Sequence, residues 1–450
     1  MSYLYRTASF GSSNDSSCVL SFWIKKTKND TLQGLFLGWN NSSNYATCYV
    51  NNDDTIYYKE KQGGTQYETR ITSVARKFRD TNAWYHFVFQ WDYTQASASN
   101  RIKVWINGEL QTWENTGNLP PQNNTLRLKS SDFRIGDYTH AGSNYYNWQG
   151  LMSHVHFIDD ATYDTYQAST FGETDSTTGE WKIKPDPGIA TNNYGSQGFF
   201  VLKNGNSGTD QSGKGNNLST NGTITKTEDC PSNVFATINP LDYSPNPATL
   251  SNGNTRYNKT STGSGHNASM SGTLGAMTGK WYYEAKIKDT NYFIMGIIRT
   301  DHGLPNSEGY YGNDAGVYAI DNGGKVVAGS GSSVSGYSYS ANDIFGMAFD
   351  LDNGKFYVHV NGTYLTSGDP TSGSTGTGSL GDISVGSRIY VPFITNSNYS
   401  QTNDIEFNFG NGYFGTTQVS SAGTNASNNG IFEYDVPAGY TALSTKGLNL

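Results

Sequence analysis

Apolar positions along this chain recur at every second residue, in short runs broken by Gly, Asn and Asp. The clearest run is 84–92, where Tyr85, Phe87, Phe89 and Trp91 alternate with Trp84, His86, Val88 and Gln90. A strand turns successive side chains to opposite faces, so the aromatic set falls on one face. At 101–113, Ile102, Val104 and Ile106 alternate with Lys103, Trp105 and Asn107. Asn107-Gly108 then supplies the positive φ values of a tight hairpin. The expectation is a three-stranded meander with one buried face. The pattern returns at 344–365: a strand ending in Asp350, the turn Asp352-Asn353-Gly354, and a strand carrying Phe356, Val358 and Val360 on one face. Asn361-Gly362 then leads into Thr363-Tyr364-Leu365. Two copies of one supersecondary unit predict two domains of related architecture.

Between them periodicity fades, from about Asn204 to Pro247, in a Gly/Asn/Ser/Thr stretch closed by Pro231, Pro240, Pro245 and Pro247. This places a first domain at 1–225, a linker at 226–239 and a second domain at 240–450. A further Gly/Ser/Thr-rich tract, 366–381, is expected as a surface loop of the second domain. Strands at short spacing with turn signals throughout mean an all-β chain of two antiparallel sandwiches.

Composition agrees. Gly (52) and Tyr (32) are abundant and charged residues make up only 15%, a mixture suited to turns and half-buried strands. The net charge of −8 speaks against nucleic acid as partner, which needs clustered Lys and Arg. The one basic cluster, Arg70, Arg76, Lys77 and Arg79, is read as a solvated strand edge. No apolar run is long enough to span a bilayer, and Met1–Arg6 has no signal-peptide core, so membrane insertion is not expected and synthesis in a cytosol is. Cys18, Cys48 and Cys230 cannot make a disulfide framework and are expected as small apolar residues.

Particular residues carry a family resemblance. Phe22-Trp23-Ile24-Lys25-Lys26, Trp84-Tyr85-His86-Phe87-Val88, Val104–Gly108, Phe133-Arg134-Ile135-Gly136 and Gln149-Gly150-Leu151-Met152 resemble the laminin-G/pentraxin branch of the concanavalin A-like jelly rolls. Lys280-Trp281-Tyr282-Tyr283-Glu284, Gly316-Val317-Tyr318, Gly346-Met347-Ala348-Phe349-Asp350 and Phe407-Asn408-Phe409-Gly410 resemble a SPRY domain, another concanavalin-like sandwich. Their tandem order, the joining segment around Thr170–Asp175 and Trp181–Pro185, and Val436–Leu443 resemble virion proteins of marine bacteriophages. The resemblance implies a virion surface protein, made in the bacterial host cytoplasm, whose partners are other virion structural proteins and host-surface glycan. Homo-oligomerisation is plausible for such an appendage, though no coiled-coil heptads support it.

Enzymatic chemistry is not expected. Glycoside hydrolases of this fold carry Glu-x-Asp-x-x-Glu on one strand; Asp404-Ile405-Glu406 lacks the second Glu, and Glu284 has no acidic partner two residues on. Gly208-x-x-x-x-Gly213-Lys214 ends in Gly215, without the Mg²⁺-binding hydroxyl of a phosphate loop. Asp350-Leu351-Asp352-Asn353-Gly354 lacks the ligands of a calcium loop and already serves as a turn. No cofactor is expected; the laminin-G and pentraxin resemblance leaves Ca²⁺ open, with Asp137 as the one candidate ligand. His154 and His156 share a face at i, i+2 and are read as a half-exposed strand.

Sugar recognition sets aromatic faces against apolar sugar faces, with Asn, Asp and backbone groups bonding the hydroxyls. Two loops combine these groups: 138–148, with His140, Asn144, Tyr145 and Tyr146, and 310–314, with Tyr310, Tyr311 and Asn313. Trp148 is expected in the core. The expected function is therefore a lectin-like tail or fibre adhesin. A capsid decoration or cement protein is the alternative, and a glycan depolymerase the third.

Overall fold

The computed structural model describes residues 2–7, 16–130, 132–140, 144–159, 164–203, 208–260, 267–305, 316–327, 334, 337–396, 398 and 400–449. The chain divides into two compact units: 1–226 with 230–232, and 233–450 with 227–229. Both are antiparallel sandwiches of the concanavalin A-like jelly-roll class. The linker is shorter than the fading periodicity suggests, because Phe235, Ala236 and Ile238 are buried in the second core.

In the first unit a seven-stranded sheet runs in the order Ser219–Asn221, Tyr3–Thr7, Asp132–Ile135, Gln33–Asn41, Asn44–Val50, Ile56–Gln62 and Thr65–Arg70. It packs on a six-stranded sheet ordered Phe199–Val201, Gly150–Asp159, Ser17–Lys26, Trp84–Asp92, Ile102–Ile106 and Glu109–Leu110. Period-two alternation builds the core between them: Phe22, Phe87, Phe89, Trp91, Val104 and Ile106 from one sheet meet Phe36, Cys48, Tyr58 and Phe133 from the other. The Asn107-Gly108 turn forms as expected, with φ of 49° and 86°.

The far face of the six-stranded sheet is not open. Residues 166–194 fold across it, and Phe171, Tyr194 and Trp181 pack on Val19, Val88, Trp105 and Ile158. His86 lies at the centre of this cover, stacked on Trp23 at 4.6 Å and on Trp181 at 6.0 Å. Gly108 faces the same indole, where an added Cβ would stand 2.6 Å from Trp181 Cε3. Gly108→Ala therefore meets both a left-handed φ and a steric clash. It is expected to cost the first unit about 1–3 kcal/mol, read as a lowered midpoint of that unit's denaturant unfolding.

The second unit repeats the plan. A sheet ordered Ile238–Tyr243, Met270–Gly272, Tyr390–Thr395, Ile294–Arg299, Val317–Asp321 and Val326–Val327 faces one built on Thr249–Ser251, Arg256–Lys259, Asn403–Asn408, Lys280–Ile287, Ile344–Asp350, Lys355–Val360 and Thr363–Tyr364. The internal repeat holds in detail. Asn361 and Gly362 have φ of 48° and 83°. Asn361 Oδ1 accepts the amide of Ile344 as Asn107 Oδ1 accepts that of His86, at 2.9 and 2.8 Å. Here the outer face of the meander's sheet is crossed by 411–443: Phe432 meets Tyr282 edge-on at 5.0 Å, and Tyr434 meets His359 at 5.3 Å.

The tract expected as a loop at 366–381 is more ordered than its composition suggests. It holds two short 3-10 turns, Leu365–Ser367 and Pro370–Thr375, the second opened by Asp369 accepting from the Thr371 amide. Cys18 and Cys48 are buried, whereas Cys230 is partly exposed.

Candidate functional site

With one sheet of the first unit covered, the remaining face is the outer side of the seven-stranded sheet, where Thr47 and Lys59 are buried and Trp39, Tyr57 and Lys61 are partly exposed. Three strands supply it by alternation. Ala46, Cys48 and Val50 go to the core, so Tyr45, Thr47 and Tyr49 turn outward. Ile56 and Tyr58 go inward, so Tyr57, Lys59 and Lys61 turn outward. Register then assembles rows across the strands: Asp132, Trp39, Tyr45, Lys61 and Gln66 in one, and Tyr49, Tyr57 and Arg70 in another.

The rings fall in two groups on this face. Trp39 stacks on Tyr45 at 5.5 Å, Tyr49 on Tyr57 at 5.7 Å, and Tyr138 lies 5.1 Å from Tyr49. Trp39 and Tyr57 are partly exposed, while Tyr45 and Tyr49 are buried beneath their neighbours. Burial and the Glu68 carboxylate, which accepts its hydroxyl proton, push the Tyr49 phenol up. The polar groups are fixed as well. Arg134 bonds Asp132 at 2.6 Å and Asp137 at 2.8 Å, and lies over the Tyr3 ring at 5.2 Å. Those carboxylates hold its guanidinium above the usual value. Stacked rings bordered by preset hydrogen-bonding groups can grip a sugar chain through its apolar ring faces and its hydroxyls.

The 138–148 segment borders this face. Tyr146 lies 5.9 Å from Tyr138, and its carbonyl accepts the Gly34 amide at 2.7 Å. The backbones of His140, Asn144 and Tyr145 belong to a two-stranded ribbon, His140 opposite Asn144; their side chains lie outside the described residues. Tyr310, Tyr311 and Asn313 also lie outside them. Trp148 packs against the core, as expected. Of the expected sugar residues, the structure therefore brings Tyr146 to the site, and it adds Trp39 and Tyr57, with Tyr45 and Tyr49 buried beneath them.

Asp137, the candidate calcium ligand, is fully buried, with Arg134 on one oxygen and Asn147 Nδ2 at 3.3 Å on the other. Its charge is already met by a cation. Among the described residues no three His, Cys, Asp or Glu side chains are grouped to hold a metal ion. The phosphate-loop likeness has a physical end: the Asp210 carboxylate occupies the loop, accepting the amides of Phe200, Ser212 and Asn216. Asp350 likewise caps its own turn, taking the amides of Asp352 and Asn353. Asp404 closes on Arg256 through two bonds of 2.9 and 2.6 Å. Arg70 and Arg79 of the basic cluster are in ion pairs, with Glu114 and with Asp54 and Asp30.

His154 and His156 depart from the expected half-exposed strand. Both are buried, and a bulge breaks the register between Ser153 and His156. His154 carries the distortion, with φ of 49°. The extra residue shifts the alternation, sending Val155 and Phe157 to the core and His156 onto Phe200, at 3.8 Å, beneath the 166–194 cover.

Fold and surface together define a lectin-like module: a concanavalin A-type sandwich with one face sealed by its own chain and the other lined with aromatic and hydrogen-bonding groups. Residues 4–165 match the family described as the concanavalin A-like lectin/glucanases superfamily, Laminin_G_3. Among solved structures, the SPRY domain of human HERC1 is similar at 11% identity and a TM-score of 0.30, over 38% of this chain and 96% of that one. The native heptameric SAP-like pentraxin from Limulus polyphemus is similar at 14% identity and a TM-score of 0.24, over 36% of this chain and 68% of that one. No curated protein matches the chain.

Proposed function

We propose that this chain is a bacteriophage virion surface protein, a non-catalytic adhesin that contacts host-surface glycan through the outer face of the seven-stranded sheet. The observation that carries the reading is the asymmetry of the first unit. Residues 166–194 seal one sheet, while the other presents Trp39 and Tyr57 at its surface. The virion setting rests on the resemblance of the tandem order and joining segments to marine phage proteins. The absence of catalysis rests on the fates of the acidic groups: Asp404 is paired with Arg256, and Glu284 is buried.

Trp39→Ala removes a ring that a sugar would stack on. It is expected to weaken glycan binding tenfold or more, about 1.4 kcal/mol, in isothermal titration of the full chain, with no change in fold by circular dichroism. Unchanged affinity would remove this face from the account.

Capsid decoration is favoured by a different observation. Leu241 and Tyr243 stand 60% and 49% exposed on an edge strand of the second unit, where a packing partner would cover them. Quantitative mass spectrometry of purified particles separates the two readings. Copy numbers of roughly six to a few tens per virion go with an adhesin, and hundreds with decoration.

A further inference from the structure

We propose that the second unit holds a separate sugar site, for a single uncharged sugar residue, in a groove between the 338–343 segment and the Asn361-Gly362 hairpin. The groove has a volume of about 390 Å³, at the small end of ligand sites and too small for an extended chain. Val360 and Leu365 give it apolar surface, and the Tyr339 ring forms part of its wall. That ring is held by Phe293 and Phe345, both edge-on at 5.5 Å, and by its hydroxyl donating to the Thr290 carbonyl at 3.3 Å. A ring fixed in this way loses little freedom when a ligand stacks on it.

The polar border is also preset. Asp343 accepts the Ser340 amide through one carboxylate oxygen, at 2.7 Å, and Asn361 Nδ2 through the other, at 2.8 Å. These bonds tie the turn to the hairpin and leave each oxygen a further lone pair for a ligand hydroxyl. Thr363 adds an exposed hydroxyl. An apolar patch and an aromatic wall bordered by hydroxyls and a carboxylate match the amphipathic faces of a pyranose. The carboxylate disfavours uronic and sialic acids, because a second anion would sit beside it without a cation among the lining residues. This site is independent of the sheet face of the first unit and goes beyond the proposed adhesin contact.

Saturation-transfer NMR on the full chain tests it, with the methyl glycosides of glucose, galactose and N-acetylglucosamine as neutral probes and methyl glucuronide as the acidic one. The expected result is transfer to at least one neutral probe, at least fivefold weaker for the glucuronide. That transfer should persist in Trp39→Ala and fall at least fivefold in both Tyr339→Ala and Thr363→Trp. Thr363→Trp fills the groove from an exposed strand position and leaves the packing of Tyr339 intact, so it decides the matter if Tyr339→Ala unfolds. The proposal is overturned if no neutral probe shows transfer, if Thr363→Trp leaves it unchanged, or if the glucuronide binds as well.

Discussion

Acidification from pH 7 to pH 4 is expected to unfold the first unit while the second stays folded. The cause is three buried, neutral histidines. Trp181 Nε1 donates to His86 Nδ1 at 3.0 Å, which leaves Nε2 to carry the one proton and give it to Ser21 Oγ at 2.9 Å. A second proton would set N–H against N–H. Burial lowers His86 to about 3 and His154 to about 4, and holds His156 well below its ordinary value. A base depressed in the folded state lends stability above its unfolded value, near 6.5, and loses it as pH falls toward the folded one. Between 6.5 and 4, His86 and His154 each cost about 3 kcal/mol, and His156 acts in the same direction. Glu60 works the other way: burial raises it, so its protonation in the folded state opposes the histidines as pH falls. His86 and His154 alone amount to about 6 kcal/mol, a large part of the stability of an ordinary domain.

In the second unit the terms oppose each other. Burial lowers His359 to about 4 and raises Glu284 to about 7. The histidine loses stability as pH falls through 6.5 to 4. The carboxyl, raised in the folded state, contributes fully below about 4.5 and loses that contribution as pH climbs to 7. Over the window they nearly cancel. Eight of the nine tryptophans lie in the first unit and Trp281 in the second, so indole fluorescence follows chiefly the first unit, and far-ultraviolet dichroism follows both. Loss of both units together, or of the second first, would contradict the assignment.

Glu284→Ala is expected to cost the second unit about 3–5 kcal/mol. Its carboxylate accepts the amides of Glu433 and Tyr434 at 2.9 and 2.8 Å, Asn408 Nδ2 at 3.2 Å and the Tyr282 hydroxyl at 3.1 Å. Tyr282 in turn receives His359 Nε2 at 2.7 Å, because the Gly362 amide already donates to Nδ1. Truncation leaves the Glu433 and Tyr434 amides and the Tyr282 hydroxyl without this acceptor, while Asn408 Nδ2 keeps the Ile431 carbonyl at 2.9 Å; it also unfastens the 411–443 cover. Glu284→Gln should cost less at pH 7, since one acceptor survives. It also removes the offset to His359, so this variant's second unit should become acid-labile where the native one is not. Denaturant unfolding followed by dichroism at pH 7 and pH 5 reads both effects, and a shift below 1 kcal/mol for the alanine variant would refute the network.

The two meanders were legible because everything that specifies them is local. Alternation at 84–92 and 355–360 sets their faces, and Asn-Gly at 107–108 and 361–362 sets their turns. The covers were not. Trp181 meets His86 from 95 residues away and Glu433 meets Glu284 from 149, in segments without period, so no window on the sequence contains both partners. The tract 204–247 concealed Phe235 and Ile238 for the same reason: isolated apolar residues among turn formers carry no face. The sheet face is itself legible in the sequence. Tyr45, Thr47 and Tyr49 alternate with Ala46, Cys48 and Val50 as plainly as the residues of any strand here. The loops at 138–148 and 310–314, with aromatic residues next to Asn, carry the same groups, and composition alone does not rank the face above them. The histidine pair at 154 and 156 failed through a single bulge residue, which alternation cannot foresee.

The proposed function stands on glycan binding by the outer face of the seven-stranded sheet. Its most direct measurement is binding of the full chain to an array of bacterial surface polysaccharides, beside Trp39→Ala and Tyr57→Ala, both checked for native dichroism. Selective binding by the native chain, weakened tenfold or more in each variant, is expected. Native-level binding by both variants, or no polysaccharide bound at all, would contradict it.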